Sequence, residues 1–131
     1  GRARELTERI LDEYRVVTSG PDAPARSLSG GNLQKIILGR VLARKPRFLI
    51  ACHPTHGLDV GAAEFVQRQI LQAKMAGTAV LLISEDLDEI LALSDRIAAM
   101  YEGQFTGIVP AREATKELIG ELMAGLRRER V

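Results

Sequence analysis

The sequence has no tryptophan, a single cysteine and an aromatic content of only 4%. With so few aromatic rings it lacks the stacking platforms that hold single-stranded nucleic acid. A lone Cys52 excludes an internal disulfide and fits a reducing compartment. Charge of neither sign dominates: 18 basic and 17 acidic side chains leave a formal +1, so no bulk attraction to nucleic acid or acidic lipid is expected. No apolar run approaches the ~18 residues of a membrane span, so the chain reads as soluble, with any membrane role exerted through a partner. An initiator methionine is also absent. Gly1-Arg2 stands first, and the sequence reads as a piece of something longer.

What is present suffices for one domain: 131 residues, 46% of them apolar. Hydrophobic periodicity predicts a helix over about 5–14, with Leu6, Ile10 and Leu11 on one face, then a Gly-, Pro-, Asp- and Ala-rich loop over 18–26. A long helix follows and stops at Pro46. The continuous apolar runs 48–52 and 80–83 read as buried strands, separated by a helix over about 62–76 that ends at Gly77. A short helix is expected around Leu87, Ile90 and Leu91. Residues 97–101 and 104–109 flank Glu102-Gly103, a two-residue hairpin signal. A C-terminal helix is expected over about 113–128, with Arg127-Arg128-Glu129-Arg130 as its solvated end, complementing the dipole. This order implies an α/β fold: a mainly parallel sheet flanked by helices, with a β-hairpin late in the chain. Reactive loops of such sheets follow the carboxyl ends of strands. Attention therefore falls on 52–59 and on Ser84-Glu85-Asp86.

The most informative run is Leu28-Ser29-Gly30-Gly31-Asn32-Leu33-Gln34-Lys35, a hydroxyl and two glycines directly before a strongly patterned helix. Unpaired first-turn amides and the positive end of the helix dipole favour an anion. Glycine lets backbone approach that anion, and the Ser29 hydroxyl either binds it or caps the helix. An ordinary capped loop-to-helix junction reads the same way, so the downstream loops decide.

Together these residues resemble the ATP-binding subunits of ABC transporters. The run 28–34 resembles that family's signature loop, and Pro54-Thr55-His56-Gly57-Leu58-Asp59-Val60-Gly61 its segment from the end of Walker B through the D-loop. Residues 80–94 resemble the switch strand and the helix after it, ending in Ser94-Asp95-Arg96-Ile97. Asn32, Asp59-Val60-Gly61 and Ile83-Ser84-Glu85-Asp86 are most similar to importers of simple sugars and nucleosides, in which one polypeptide usually carries two ATPase domains. The resemblance implies a partial P-loop NTPase fold, with residues 1–131 as the C-terminal portion of the second, degenerate domain. No Gly-x-x-x-x-Gly-Lys-Ser/Thr phosphate loop occurs in the sequence, so independent tight ATP binding is not expected.

Three positions depart from the family pattern. Where Walker B ends in Asp-Glu the sequence has Cys52 and His53, and where the switch histidine belongs it has Glu85. A soft thiol is a poor partner for Mg²⁺, which prefers hard oxygen ligands, and a carboxylate repels phosphate. This half is expected to be hydrolytically dead on its own side. The alternatives are bland: Cys52 as a small buried residue, and Glu85 as a solvated cap of the following helix. Cys52, His53 and His56 have an x-x spacing suggestive of zinc, but no fourth ligand is evident and no metal site is expected.

The family pairs its ATPase domains head to tail. By resemblance, Ser29, Gly30, Gly31, Asn32 and Gln34 would bind ATP in trans, completing a composite site with Mg²⁺ on another domain's phosphate loop. Asp59 would couple the sites across the interface. Implied partners are a first ATPase domain, membrane permease subunits and, indirectly, an extracytoplasmic solute-binding protein, at the cytoplasmic face of the membrane; no nucleic acid is expected. Two other readings compete: a non-catalytic regulatory or assembly half, and a lobe of a chromosome-maintenance ABC ATPase. The latter calls for an acidic Walker B and heptad repeats, neither of which is seen. With the phosphate-loop strand outside the sequence, uncovered apolar surface and self-association are expected.

Overall fold

Helices pack at glycines in the first part of the chain. The computed structural model describes residues 1–131, which fall into two units, 1–81 and 82–131. In the first unit α1 (Arg2–Glu13) buries Ile10 and delivers the buried Tyr14. Both side chains meet Gly39 of α2 (Gly30–Leu42), where an added Cβ would lie 2.6 Å from Ile10 Cγ2 and 3.3 Å from the Tyr14 ring. Only glycine permits that approach. Against α2 lies α3 (Val60–Met75), whose Phe65 ring meets Tyr14 edge-on at 5.7 Å while Lys35 Nζ sits 4.9 Å over its face.

Strand β1 (Phe48–Cys52) alternates, burying Leu49 and Ala51 and exposing Phe48 and Ile50. It pairs in parallel with β2 (Ala79–Ile83) across the α3 crossover, and Ala79 N–H donates to Arg47 O at 2.9 Å where the pair begins. The helix ends as Gly77 suggests: with φ +102°, Gly77 N–H reaches Lys74 O at 2.9 Å and Thr78 N–H reaches Ala73 O at 3.0 Å.

The second unit holds α4 (Leu87–Leu93), β3 (Arg96–Tyr101), β4 (Gln104–Pro110) and α5 (Lys116–Met123). Glu102 (φ +47°) and Gly103 (φ +77°) make the tight turn that joins β3 to β4. Its core is Ile97, Ala99, Val109, Ile119 and Leu122. The ladder slips once: Met100 faces Phe105 but Ala99 faces Gly107, leaving Thr106 as a bulge. That bulge points inward. Thr106 is 1% exposed, its hydroxyl donates to Leu122 O at 2.8 Å, and its carbonyl accepts Glu129 N–H at 2.7 Å.

The expected C-terminal helix over 113–128 is shorter in the structure. Ala111–Glu113 form one 3₁₀ turn, Thr115 caps α5 by accepting Leu118 N–H at 3.1 Å, and Gly125 (φ +71°) closes it after Met123. Gly125 N–H bonds Leu122 O at 3.2 Å, and Leu126 N–H bonds Glu121 O at 2.9 Å. The Tyr101 ring occupies the space of a side chain at Gly125. Arg127 thus lies past the helix end and pairs with Glu121 and Glu129 instead of extending the helix. A glycine stop outweighs the helix-forming composition that follows it.

Candidate functional site

Ser29 is extended (φ −63°, ψ 158°) and turns the chain into α2 as its N-cap. Its Oγ accepts Asn32 N–H at 3.3 Å and Asn32 Nδ2–H at 2.9 Å. Asn32 Oδ1 in turn accepts Val17 N–H at 3.0 Å, which ties the loop after α1 to the first turn of α2. The amides of Gly30 and Gly31 precede any acceptor within the helix and carry the positive end of its dipole. Sequence reasoning missed the Asn32 network. Its signal is the polar side chain three residues after a serine cap, a shortened relative of the capping box.

The two glycines differ. A Cβ at Gly30 would make ordinary contact with Leu58 Cδ2 at 4.0 Å, whereas at Gly31 it would lie 2.9 Å from Ala62 Cβ. Gly31 is therefore demanded by the packing of α2 on α3, whatever else approaches it. Asp59 caps α3, accepting Ala62 N–H at 2.9 Å, so the first turns of α2 and α3 lie side by side. Gln34 Nε2 donates to Pro54 O at 2.9 Å and links α2 to the loop after β1.

That loop begins with Cys52, whose thiol is exposed. The alternative of a small buried cysteine is thus incorrect: the last residue of β1 falls on the strand's outward side. His53 is left-handed (φ +47°), a conformation costing a β-carbon-bearing residue roughly 1 kcal/mol. Two successive turns follow, His56 N–H to His53 O at 3.2 Å and Leu58 N–H to Thr55 O at 3.1 Å. The His53 and His56 rings stand 6.4 Å apart, and no group of three His, Cys, Asp or Glu side chains is assembled in a form that could hold a metal ion.

Glu85 lies in the second unit and is exposed. It does not cap α4, contrary to the alternative drawn from sequence. Asp86 does, its Oδ1 accepting Asp88 N–H at 3.0 Å and Glu89 N–H at 3.2 Å. Asp sits where its short carboxylate reaches the first-turn amides, and Glu85 is one residue too early. Glu89, 2% exposed, accepts the Ser84 hydroxyl at 2.7 Å, while Ser84 Oγ accepts Asp86 N–H at 3.1 Å. Sequence reasoning also missed this buried carboxylate, although Asp86-x-x-Glu89 carries the capping-box spacing. Asp88 binds Lys116 at 2.6 Å, a hydrogen bond and charge that hold this ammonium above the ordinary lysine range.

No family model matches the chain. It is 47% identical over 125 residues to the guanosine import ATP-binding protein NupO of Bacillus subtilis, covering 95% of this chain and 24% of that protein. It is 50% identical over 123 residues to the nucleoside import ATP-binding protein NupA of Lactococcus lactis, covering 94% and 24%. Among solved structures, the ADP conformation of MJ1267, an ATP-binding cassette of an ABC transporter, superposes with a TM-score of 0.69 at 25% identity, over 95% of this chain and 47% of that one. The chain spans about a quarter of the length of these curated relatives. No helix is long and apolar enough to cross a membrane. Identity near one half along almost the whole chain, on the fold of a solved cassette, shows this chain to be related to the ABC transporter ATP-binding proteins.

Proposed function

We propose that residues 1–131 are the C-terminal portion of an ABC ATPase domain, and that the chain lends its signature loop to ATP held on the phosphate loop of another domain. The observation that carries this reading is the contrast between two loops. At the start of α2, the Ser29 hydroxyl and the open amides of Gly30 and Gly31 fit a phosphate anion. At the end of β1, an exposed thiol and an imidazole replace the hard oxygens that Mg²⁺ requires, so Mg²⁺ does not fit Cys52 and His53.

The substrate ATP brings a γ-phosphoryl group whose oxygens gain charge as the bond to ADP breaks. Ser29 donates a hydrogen bond to that group, and the Gly30 and Gly31 amides with the α2 dipole stabilise its charge as the composite site closes. Asn32 and Gln34 keep this turn in place, and Asp59 couples it to the neighbouring site. A nucleotide site on the side of Cys52 and His53 does not turn over, and a carboxylate, Glu85, in place of the switch histidine supports the same reading. Relatives named for guanosine and nucleoside import support a nucleoside or simple-sugar importer. In that setting the subunit works peripherally at the cytoplasmic membrane face with permease partners and, indirectly, a solute-binding protein.

The test is ATP hydrolysis by the complete transporter carrying this chain. Ser29→Arg, which fills the turn, is expected to lower turnover by about a hundredfold or more, the scale of losing a preorganised charge stabiliser. His53→Ala is expected to change it less than about twofold. If His53→Ala removes activity as completely as Ser29→Arg, the asymmetric assignment is wrong; if neither matters, this half is a regulatory module.

A further inference from the structure

We infer that Asn32 is a positioning residue that fixes the Ser29 hydroxyl as a hydrogen-bond donor. This rests on the signature-loop reading above and concerns a group that reading leaves unspecified. A hydroxyl offers one donor and two acceptor positions, and it can face an anion only with its proton. In this chain both acceptor positions are filled by one residue: Asn32 N–H at 3.3 Å and Asn32 Nδ2–H at 2.9 Å.

The orientation of the Asn32 amide is itself determined. Its other end faces Val17 N–H at 3.0 Å, and a backbone N–H can only donate. The oxygen therefore faces Val17, and the NH₂ group faces Ser29. The relay runs in one direction, from the Val17 amide through the Asn32 side chain to Ser29 Oγ, leaving the Ser29 proton as the only unused bonding capacity of that hydroxyl. The same loop is held a second time by Lys35 Nζ, which donates to Arg15 O at 3.4 Å. A hydroxyl so arranged meets an acceptor anion without first breaking a bond of its own, which is preorganisation for phosphate.

Polarity and tethering are separated by Asn32→Asp. A carboxylate still accepts Val17 N–H, so the loop tether and the unfolding midpoint should be kept. Toward Ser29, however, it presents an acceptor and draws the hydroxyl proton to itself. In the complete transporter, kcat/KM for ATP is expected to fall at least about tenfold, the scale of one hydrogen bond to a charged group. The added negative charge is controlled by repeating Asn32→Asp in a Ser29→Ala background, where the further loss should be under about threefold. An equal loss in both backgrounds overturns the inference, since charge alone then explains it. No loss in the Ser29 background overturns it as well. If Ser29→Ala alone leaves kcat/KM unchanged, the signature-loop reading fails and this inference falls with it.

Discussion

Gly31 shows how one residue type serves two demands that a sequence cannot separate. As part of Ser-Gly-Gly it invites a reading in terms of phosphate approach, yet its missing side chain makes room for Ala62. The packing demand is testable. Gly31→Ala places a Cβ 2.9 Å from that of Ala62, closer than real Cβ contacts run, and overpacking of this kind costs about 1–3 kcal/mol. The helix propensity gained from alanine, at most ~1 kcal/mol, offsets only part of it. A net loss of about 1 kcal/mol is expected in denaturant unfolding of the protein, with recovery of most of it when Ala62→Gly is added. Unchanged unfolding together with lost ATP turnover would instead assign Gly31 to the anion alone. The motif was legible because turn chemistry is local. Its second role was not, because Ala62 lies 31 positions away in sequence.

Elements were legible in proportion to how local their determinants are. Strands β1 and β2, helix α3 with its Gly77 stop, and the Glu102-Gly103 hairpin fall within two residues of expectation, each marked by period or punctuation. The overlong C-terminal helix was a misjudged stop: Gly125 sits inside a helix-forming run, and its left-handed φ of +71°, with the Tyr101 ring packed over it, makes it the terminus. The Thr106 bulge left only a weak mark, Gly107 inside a strand run that does not alternate cleanly from Gln104 to Pro110. Its weight is nevertheless measurable. Thr106→Val keeps the shape and removes the 2.8 Å donor to Leu122 O, leaving that carbonyl only the longer bond from Gly125 N–H at 3.2 Å. Losing one of its two hydrogen bonds costs about 0.5–1.5 kcal/mol, and a lower thermal midpoint with unchanged circular dichroism is the expected outcome. A neutral effect would mean that Gly125 N–H alone satisfies the Leu122 carbonyl, leaving the bulge only its backbone link to Glu129.

At the scale of the whole chain, apolar residues left on the surface say most. On the β1–β2 pair Phe48 is 57% exposed, Ile50 58% and Leu81 46%, all in the first unit. Alternation along β1 is regular, so these side chains share a sheet face that lacks a covering layer. A strand pair this short also has edges with free backbone groups. Full burial of a Phe, Ile or Leu is worth about 1.5–3 kcal/mol, so covering the exposed half of three of them gives roughly 3 kcal/mol per copy and about twice that per pair. That is the same order as the ~4–15 kcal/mol cost of fixing two bodies together, so the gain supports weak association only. The chain by itself is therefore expected to show a mass that rises with concentration in sedimentation equilibrium, over roughly the 10–500 μM range. Ile50→Lys places a charge in the middle of the face and should shift that rise to higher concentration while leaving Leu49 and Ala51 buried beneath. A monomeric mass throughout, with or without Ile50→Lys, would mean that the exposed face is too small or too frayed to drive self-association.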